Sequence, residues 1–455
     1  MRFQDGPAVA IPRRWAWTLG IGVAMLAGLL VWLLFAGRAV APPENAAVRG
    51  TGAALGQERQ MMGPVPLRAS AVSTAAPSST EPARGVDEYE VCGGTWVKAN
   101  ADGNLDDAIL KGPMRRDEAV QAVARALAAD ARPVARAAGL ILQAMEGGED
   151  HRRAVMIGTI ACAPDCPQAS GIPAAAFDAV AAARESLARL AVTTTDPAAY
   201  ALAFRMCGRL RAGSCALLSP EQWARLDPGN AAPWQEAFAT AQARKDIPAA
   251  NEALHRIATS QRSDQRFFDL PGLFVDAVPD DDGLRNGVFM LAVDAIGFQS
   301  AWVMPSYQPL ASACRRDALR DSNRRQTCEA IAELMAEKSD TLIERSMAVA
   351  VGRQLGWPDA RLERMRAEQL AFGQSVFDGV DARNAMSCET IKRVTDDVRR
   401  KARLGEVGAM REWLAHDAPP LDELLRRART ELREQAERSQ AYAAAQAASA
   451  ASAPG

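Results

Sequence analysis

Residues Phe177 to Cys207 read FDAVAAARESLARLAVTTTDPAAYALAFRMC, and this stretch decides the fold class. Phe177, Val180, Ala183, Leu187 and Leu190 recur at spacings of three and four, as do Tyr200, Phe204 and Cys207, so each set lines one face of an α-helix. Between the two sets, Asp196-Pro197 supplies an N-cap followed by a proline at the first helical position. One helix therefore ends and another begins within a short turn, which favours antiparallel neighbours. The same signals recur downstream. Ser219-Pro220-Glu221-Gln222 combines the proline start with a capping box, and Asp227-Pro228-Gly229-Asn230 marks another turn. Alternating strand patterns are absent from this reading. The expectation is an all-α fold, an irregular stack of antiparallel helical hairpins over 90–440, in one domain or two divided near Asp264-Gln265.

One hairpin carries a resemblance. Leu226-Asp227-Pro228-Gly229-Asn230-Ala231 with Trp234, then Ala250, Leu254 and Ala258, resembles a tetratricopeptide repeat over 226–258. Ala237-Phe238 stands where the repeat has Leu-Gly, Ala241 replaces an aromatic, and Ala258 falls one place late. No second copy follows at the expected period. The resemblance implies a solenoid-like stack and, by analogy alone, a protein-binding role.

Outward from the helices, the chain begins with an uncharged run from Trp15 to Gly37 behind Arg13 and Arg14. At about 1.5 Å per helical residue this run spans the roughly 30 Å hydrocarbon core of a bilayer, with Trp15, Trp17 and Trp32 towards its ends. Arg2, Arg13 and Arg14 crowd the N-terminal side, so 1–14 is expected in the cytoplasm and the bulk of the chain across the membrane. A cleaved signal peptide is the competing reading. Ala39-Val40-Ala41 resembles a cleavage site, but Pro42 follows it and the apolar run exceeds a typical h-region. Residues 38–89, rich in Ala, Pro, Ser and Thr, read as a disordered tether with a reach of about 40 Å. The Ala/Ser/Gln-rich stretch 441–455 reads as a disordered tail.

Composition narrows the partners. The net charge is -2 among 455 residues, and no basic block stands out, so nucleic acid is excluded as an expected partner. An Ala- and Arg-rich, Lys-poor chain without an Asn-x-Ser/Thr sequon points to a bacterial inner membrane and periplasm. The apolar stretch Gly287 to Met304 could pass for a second span, but Asp294 at its centre and the diluting Gly297 and Gln299 favour a buried core helix. Phe267, Phe268, Phe274, Phe289, Phe298 and Trp302 are the expected aromatic core beside it.

Cys92, Cys162, Cys166, Cys207, Cys215, Cys314, Cys328 and Cys388 all follow the anchor and are even in number, which suits up to four structural disulfides in an oxidising compartment. Sequence leaves their connectivity open. Local closures suggest Cys207 with Cys215, Cys314 with Cys328 and Cys162 with Cys166, leaving Cys92 for Cys388. Cys162-Ala163-Pro164-Asp165-Cys166 also admits a thiol-disulfide redox reading, weakened by the extra intervening residue and the missing β-α-β context. His151, His255 and His416 are isolated, and no hydrolase elbow, phosphate loop or zinc motif is present. Asp102, Asn104 and Asp106 imitate the start of a calcium loop, yet Asp107 and Pro113 occupy its glycine and glutamate positions. Asp280-Asp281-Asp282-Gly283 reads as a helix cap. No cofactor, metal or catalytic residue is therefore assigned. The reading is a membrane-anchored module that binds a protein or another envelope component, with a carboxylate-using envelope enzyme as the alternative.

Overall fold

The computed structural model describes residues 88–93, 95–98, 115–145, 154–155, 171–208, 212–279, 281–380 and 384–451. The expected anchor at 15–37, nearly all of the 38–89 tether, the calcium-like turn at 102–106, His151, and Cys162 with Cys166 lie outside these residues. Within them the chain is helical almost throughout. The helices are α1 (Arg116–Ala129), α2 (Pro133–Met145), α3 (Ala174–Thr193), α4 (Pro197–Cys207), α5 (Pro220–Leu226), α6 (Ala232–Arg244) and α7 (Ile247–Ala258). They continue with α8 (Asp269–Asp276), α9 (Asp282–Ala313), α10 (Ser322–Lys338), α11 (Leu342–Leu355), α12 (Asp359–Ser375), α13 (Cys388–His416) and α14 (Leu421–Ala451).

The capping signals act as the sequence suggests. Asp196 Oδ1 accepts from Ala198 N at 2.8 Å and Ala199 N at 3.3 Å, and Ser219 Oγ accepts from Gln222 N at 3.1 Å. Asp281 caps α9 through Gly283 N at 2.8 Å. Consecutive helices pair as hairpins, α3 with α4, α6 with α7, and α10 with α11. α9 runs through the centre against α1, α6, α8 and α13.

One departure from the sequence reading is a β-hairpin at the start of the described chain. β1 (Glu88–Val91) and β2 (Thr95–Lys98) pair antiparallel in the register Val91 to Thr95, turning at Gly93. Strands of four residues are too short to display a period. The hairpin docks on the helices through a parallel bridge between Val91 and Met386. At the other end, α14 continues to Ala451, beyond the compositional boundary at 441, because alanine and glutamine carry a helix well once it has begun.

The apolar core is one cluster running from Ala119 on α1 to Val398 on α13, with helices from both sides of the Asp264-Gln265 turn contributing. A smaller cluster joins Phe372, Met410, Trp413 and Leu424 of α12, α13 and α14. Phe267, Phe268, Phe274, Phe298 and Trp302 are buried, and Phe289 is half-buried. The apolar stretch Gly287 to Met304 lies within α9 and packs in this core, with Asp294 paired to Arg116 at 2.6 Å. Among the described residues no single helix is long and apolar enough to cross a membrane. The bent pair Gly283–Val303 and Ser306–Ala313 passes that test only jointly, with a 44° bend between its halves. Its Asn286, Gln299 and Ser306 are buried within the fold, Asn286 donating to Cys92 O at 2.6 Å.

Candidate functional site

The densest polar constellation sits at the centre, where three loops meet between helix ends. They are 227–231 before α6, 259–268 before α8, and 339–341 before α11. Their backbones pair as a short ladder. Ala231 N donates to Arg262 O at 2.8 Å, Ser263 N to Lys338 O at 2.9 Å, and Asp340 N to Ser263 O at 2.9 Å. A fourth segment joins where α13 breaks at Gly405, whose φ of +70° allows Glu406 N to reach Asp340 O at 2.6 Å. A Cβ at Gly405 would stand 2.8 Å from Asp340 Cβ, so close approach and backbone conformation both require glycine.

Side chains fill the ladder. Asn230, fully buried, donates to Asp227 and to Asp264 O at 2.9 Å each, while its Oδ1 accepts from Ala232 N and Asp264 N. Behind it lies Glu344 at the start of α11, also fully buried. Its Oε1 accepts from Gln235 Nε2 at 2.7 Å, Gln265 Nε2 at 2.7 Å and Ser263 Oγ at 2.9 Å. Arg205, buried on α4, donates to Gln265 O and to Gln265 Oε1 at 2.5 Å and lies over the Trp223 ring at 5.1 Å. Asp340 accepts from Gln265 N at 2.8 Å. Arg262 and Arg266 both pair with the buried Asp227.

Burial sets the protonation of this hub. Desolvation pushes Glu344 above the usual carboxylate range, against the three donors that favour its charged form. Asp340 is pushed up further by burial and by the neighbouring Asp264 and Glu344 charges. Burial likewise raises Glu406, and it raises Tyr307, which faces Glu344 and Asp340. Asp269 at the rim retains 24 % side-chain exposure, and desolvation carries its pKa to about 6 against the pull of Arg266. Most of these groups bond to one another and to the loops, while Glu344 Oε2 and Arg205 Nε are buried without a hydrogen-bond partner. The arrangement suits a keystone that fixes helix ends better than an acid-base pair open to substrate.

A surface cleft lined by Val278, Leu284, Arg285, Val288, Thr395 and Arg399 holds only about 10 Å³, close to the space of one water. Among the described residues no group of three or more His, Cys, Asp or Glu side chains could hold a metal ion. His255 and His416 are exposed and far apart in the chain.

The cysteines fall where local closure suggests. Cys207 is joined to Cys215 and Cys314 to Cys328, with Cα separations of 5.6 and 5.7 Å. Cys92 is joined to Cys388 across 296 residues of sequence, with a Cα separation of 4.3 Å. The hub residues were not singled out by the sequence reading. Arg205 inside the apolar run Tyr200 to Cys207 was the available signal, because a charge on a buried face requires partners. Against known proteins, the chain matches no protein-family model, no curated protein and no solved structure.

Proposed function

We propose that this chain is a single-pass inner-membrane protein whose disulfide-stapled helical domain works in the periplasm as a rigid interaction or scaffold module. The observation that carries the reading is closure of the polar hub. Its buried carboxylates and amides lock four segments together, which yields a stiff body rather than an open catalytic cleft. Leu217 at 68 % exposure and Ile247 at 58 % are exposed large apolar side chains and serve as probes of a binding role. The anchor at Trp15–Gly37, the cytoplasmic N-terminus and the tether rest on the sequence alone. The hairpin α6–α7 is proposed as a divergent tetratricopeptide unit in a solenoid-like stack, its Asp227-Pro228-Gly229-Asn230 turn supplying hub ligands.

The test is affinity capture of the full chain from crosslinked envelopes, with Ile247→Asp and Leu217→Asp variants beside it. A specific partner that the variants lose supports the module. An envelope enzyme using carboxylates is the second reading, favoured by Asp269, whose pKa near 6 at a partly exposed rim would suit proton transfer near neutral pH. Capture of nothing, together with turnover of an envelope glycan that Asp269→Asn abolishes, would overturn the scaffold. A redox role for Cys162 and Cys166 stays the weakest alternative, because the sequence around them lacks the usual dithiol context. Membrane-impermeant maleimide on spheroplasts, with and without reduction, tests the topology. A Cys388 that stays unreactive from outside even after reduction, yet labels once the membrane is permeabilised, would refute export.

A further inference from the structure

The three described disulfides occupy unlike surroundings. Cys207, Cys215, Cys314 and Cys328 are all buried to within 1 % exposure, and each pair closes a short local loop. The third bond differs at both ends. Cys92 is buried, but its Sγ lies 3.8 Å from the guanidinium Nη1 of Arg285. Cys388 is half-exposed and is the first residue of α13, directly after the Ser387 cap whose Oγ accepts from Thr390 N at 3.2 Å. A cation beside one sulfur and a helix N-terminus at the other both favour thiolates, the forms released when the bond opens. Such thiolates are good leaving groups in exchange.

We propose that Cys92–Cys388 is a redox-addressable clamp on the N-terminal hairpin, opened by a dithiol reductant of the exported compartment. A thiolate of the reductant attacks Sγ of Cys388, the less buried residue of the pair. A new S–S bond forms there while the Cys92–Cys388 bond breaks, and the electron pair leaves on Cys92 Sγ beside Arg285. The second thiol of the reductant, deprotonated, then attacks its own sulfur in the mixed disulfide and expels the Cys388 thiolate. The reductant ends as a disulfide, and the protein gains two thiols with the two protons the dithiol gave up. With the bond open, the hairpin is held to the helices by noncovalent contacts, among them Cys92 N to Met386 O at 2.9 Å, the Val91 to Met386 bridge, and Asn286 Nδ2 to Cys92 O at 2.6 Å. Undocking uncovers Val91 and the Asn286 face of α9, both buried in the clamped form. The chemistry does not rest on the scaffold reading, since it needs only an oxidised chain and a dithiol.

The experiment treats the full-length oxidised protein in detergent with dithiothreitol, quenches with N-ethylmaleimide, and maps labelled peptides over time. Label should reach Cys92 and Cys388 about tenfold or more sooner than Cys207, Cys215, Cys314 and Cys328, with the helical circular dichroism unchanged. With glutathione in place of dithiothreitol, the trapped mixed disulfide should sit on Cys388. Arg285→Gln should slow opening by about three- to tenfold, and Arg285→Lys should restore most of the rate. The proposal is overturned if the three bonds open together and only with loss of helix, if glutathione is trapped on Cys92, or if Arg285→Gln leaves the rate unchanged. The wild-type labelling order decides the matter even where a variant fails to fold.

Discussion

The central hub and the N-terminal clamp hold chain segments together by opposite means. At the hub, four segments are tied by many hydrogen bonds that share partners, so Gln265 alone touches Arg205, Gln235, Asp340 and Glu344. At the clamp, a two-stranded hairpin is tied by one covalent bond and a few hydrogen bonds. Hub contacts exist only in the folded chain, and they stabilise by satisfying groups that folding has buried. The clamp acts mainly on the unfolded chain, whose freedom it restricts, while in the folded chain it restrains little more than the hairpin. Stability and control can thus reside in different places.

This contrast predicts that the largest loss comes from the bond with the least native structure around it. Replacing Cys92 and Cys388 together by serine frees a loop of 296 residues in the unfolded chain, worth about 6 kcal/mol in the chain-entropy model. The same change at Cys207 and Cys215, separated by 8 residues, is worth about 2 to 3 kcal/mol. Chemical denaturation of both variants checks the order. Hydrogen exchange in the hairpin should speed up by more than the lost global stability accounts for, and at Ser263 and Asp340 by no more than that loss accounts for. Acceleration at the hub beyond that factor would break the separation of the two regions.

Next in size is Arg205→Ala. It removes a buried cation from Gln265 and Trp223 and leaves Glu344 without its nearby compensation, costing about 3 to 5 kcal/mol. Arg256→Ala breaks an exposed pair with Glu252 and should cost under about 0.5 kcal/mol. Equal effects of the two substitutions, measured by denaturant midpoint, would show that the hub is no more tightly coupled than the surface. Gln235→Leu sharpens the point, because it keeps the volume but leaves Glu344 and Gln265 each short of a partner, at about 1 to 3 kcal/mol. Gln235→Glu should be worse, since it sets a second carboxylate against Glu344.

Much of this was legible in the sequence, and the gaps have physical causes. Helical period and caps revealed the hairpins, as at Asp196 and Ser219, because these signals are local and each cap completes its bonds within three residues. Loop lengths suggested the disulfide partners for the same reason. The β-hairpin was missed because Tyr89 and Val91 offer too few alternations. The hub was invisible because its members lie far apart in the chain: Arg205, Gln235, Gln265, Asp340 and Glu344 converge only once six helices have packed. The Asp264-Gln265 turn, read as a candidate boundary, carries hub ligands because loop polarity resembles a linker until its partners are known.

An effect smaller than that of Arg205→Ala tests whether the hub holds protons. Asp269 titrates near 6 in the folded chain against an ordinary value of 3.8, and burial raises Asp340, Glu344 and Glu406 in the same direction. A carboxyl raised on folding binds its proton more tightly in the native state, so its contribution is full below the unfolded value. It is lost as pH rises through the folded one. For Asp269 the window runs from about pH 4 to beyond 6, and at about 1.4 kcal/mol per unit, trimmed for its exposed quarter, this amounts to about 1 to 2 kcal/mol. Exposed carboxylates with lowered pKa values, Glu118 and Glu185 among them, pull the other way, and only below the usual carboxylate range. Stability should therefore peak at about pH 4 and fall towards pH 8, and Asp269→Asn should flatten part of the slope. Greater stability at pH 8 than at pH 5 would mean that the hub carboxyls are ionised in the folded chain, held by Arg205, Arg262 and Arg266 rather than by shared protons. Replacing Cys92 and Cys388 by serine removes no carboxyl, so the double-serine variant should keep the slope.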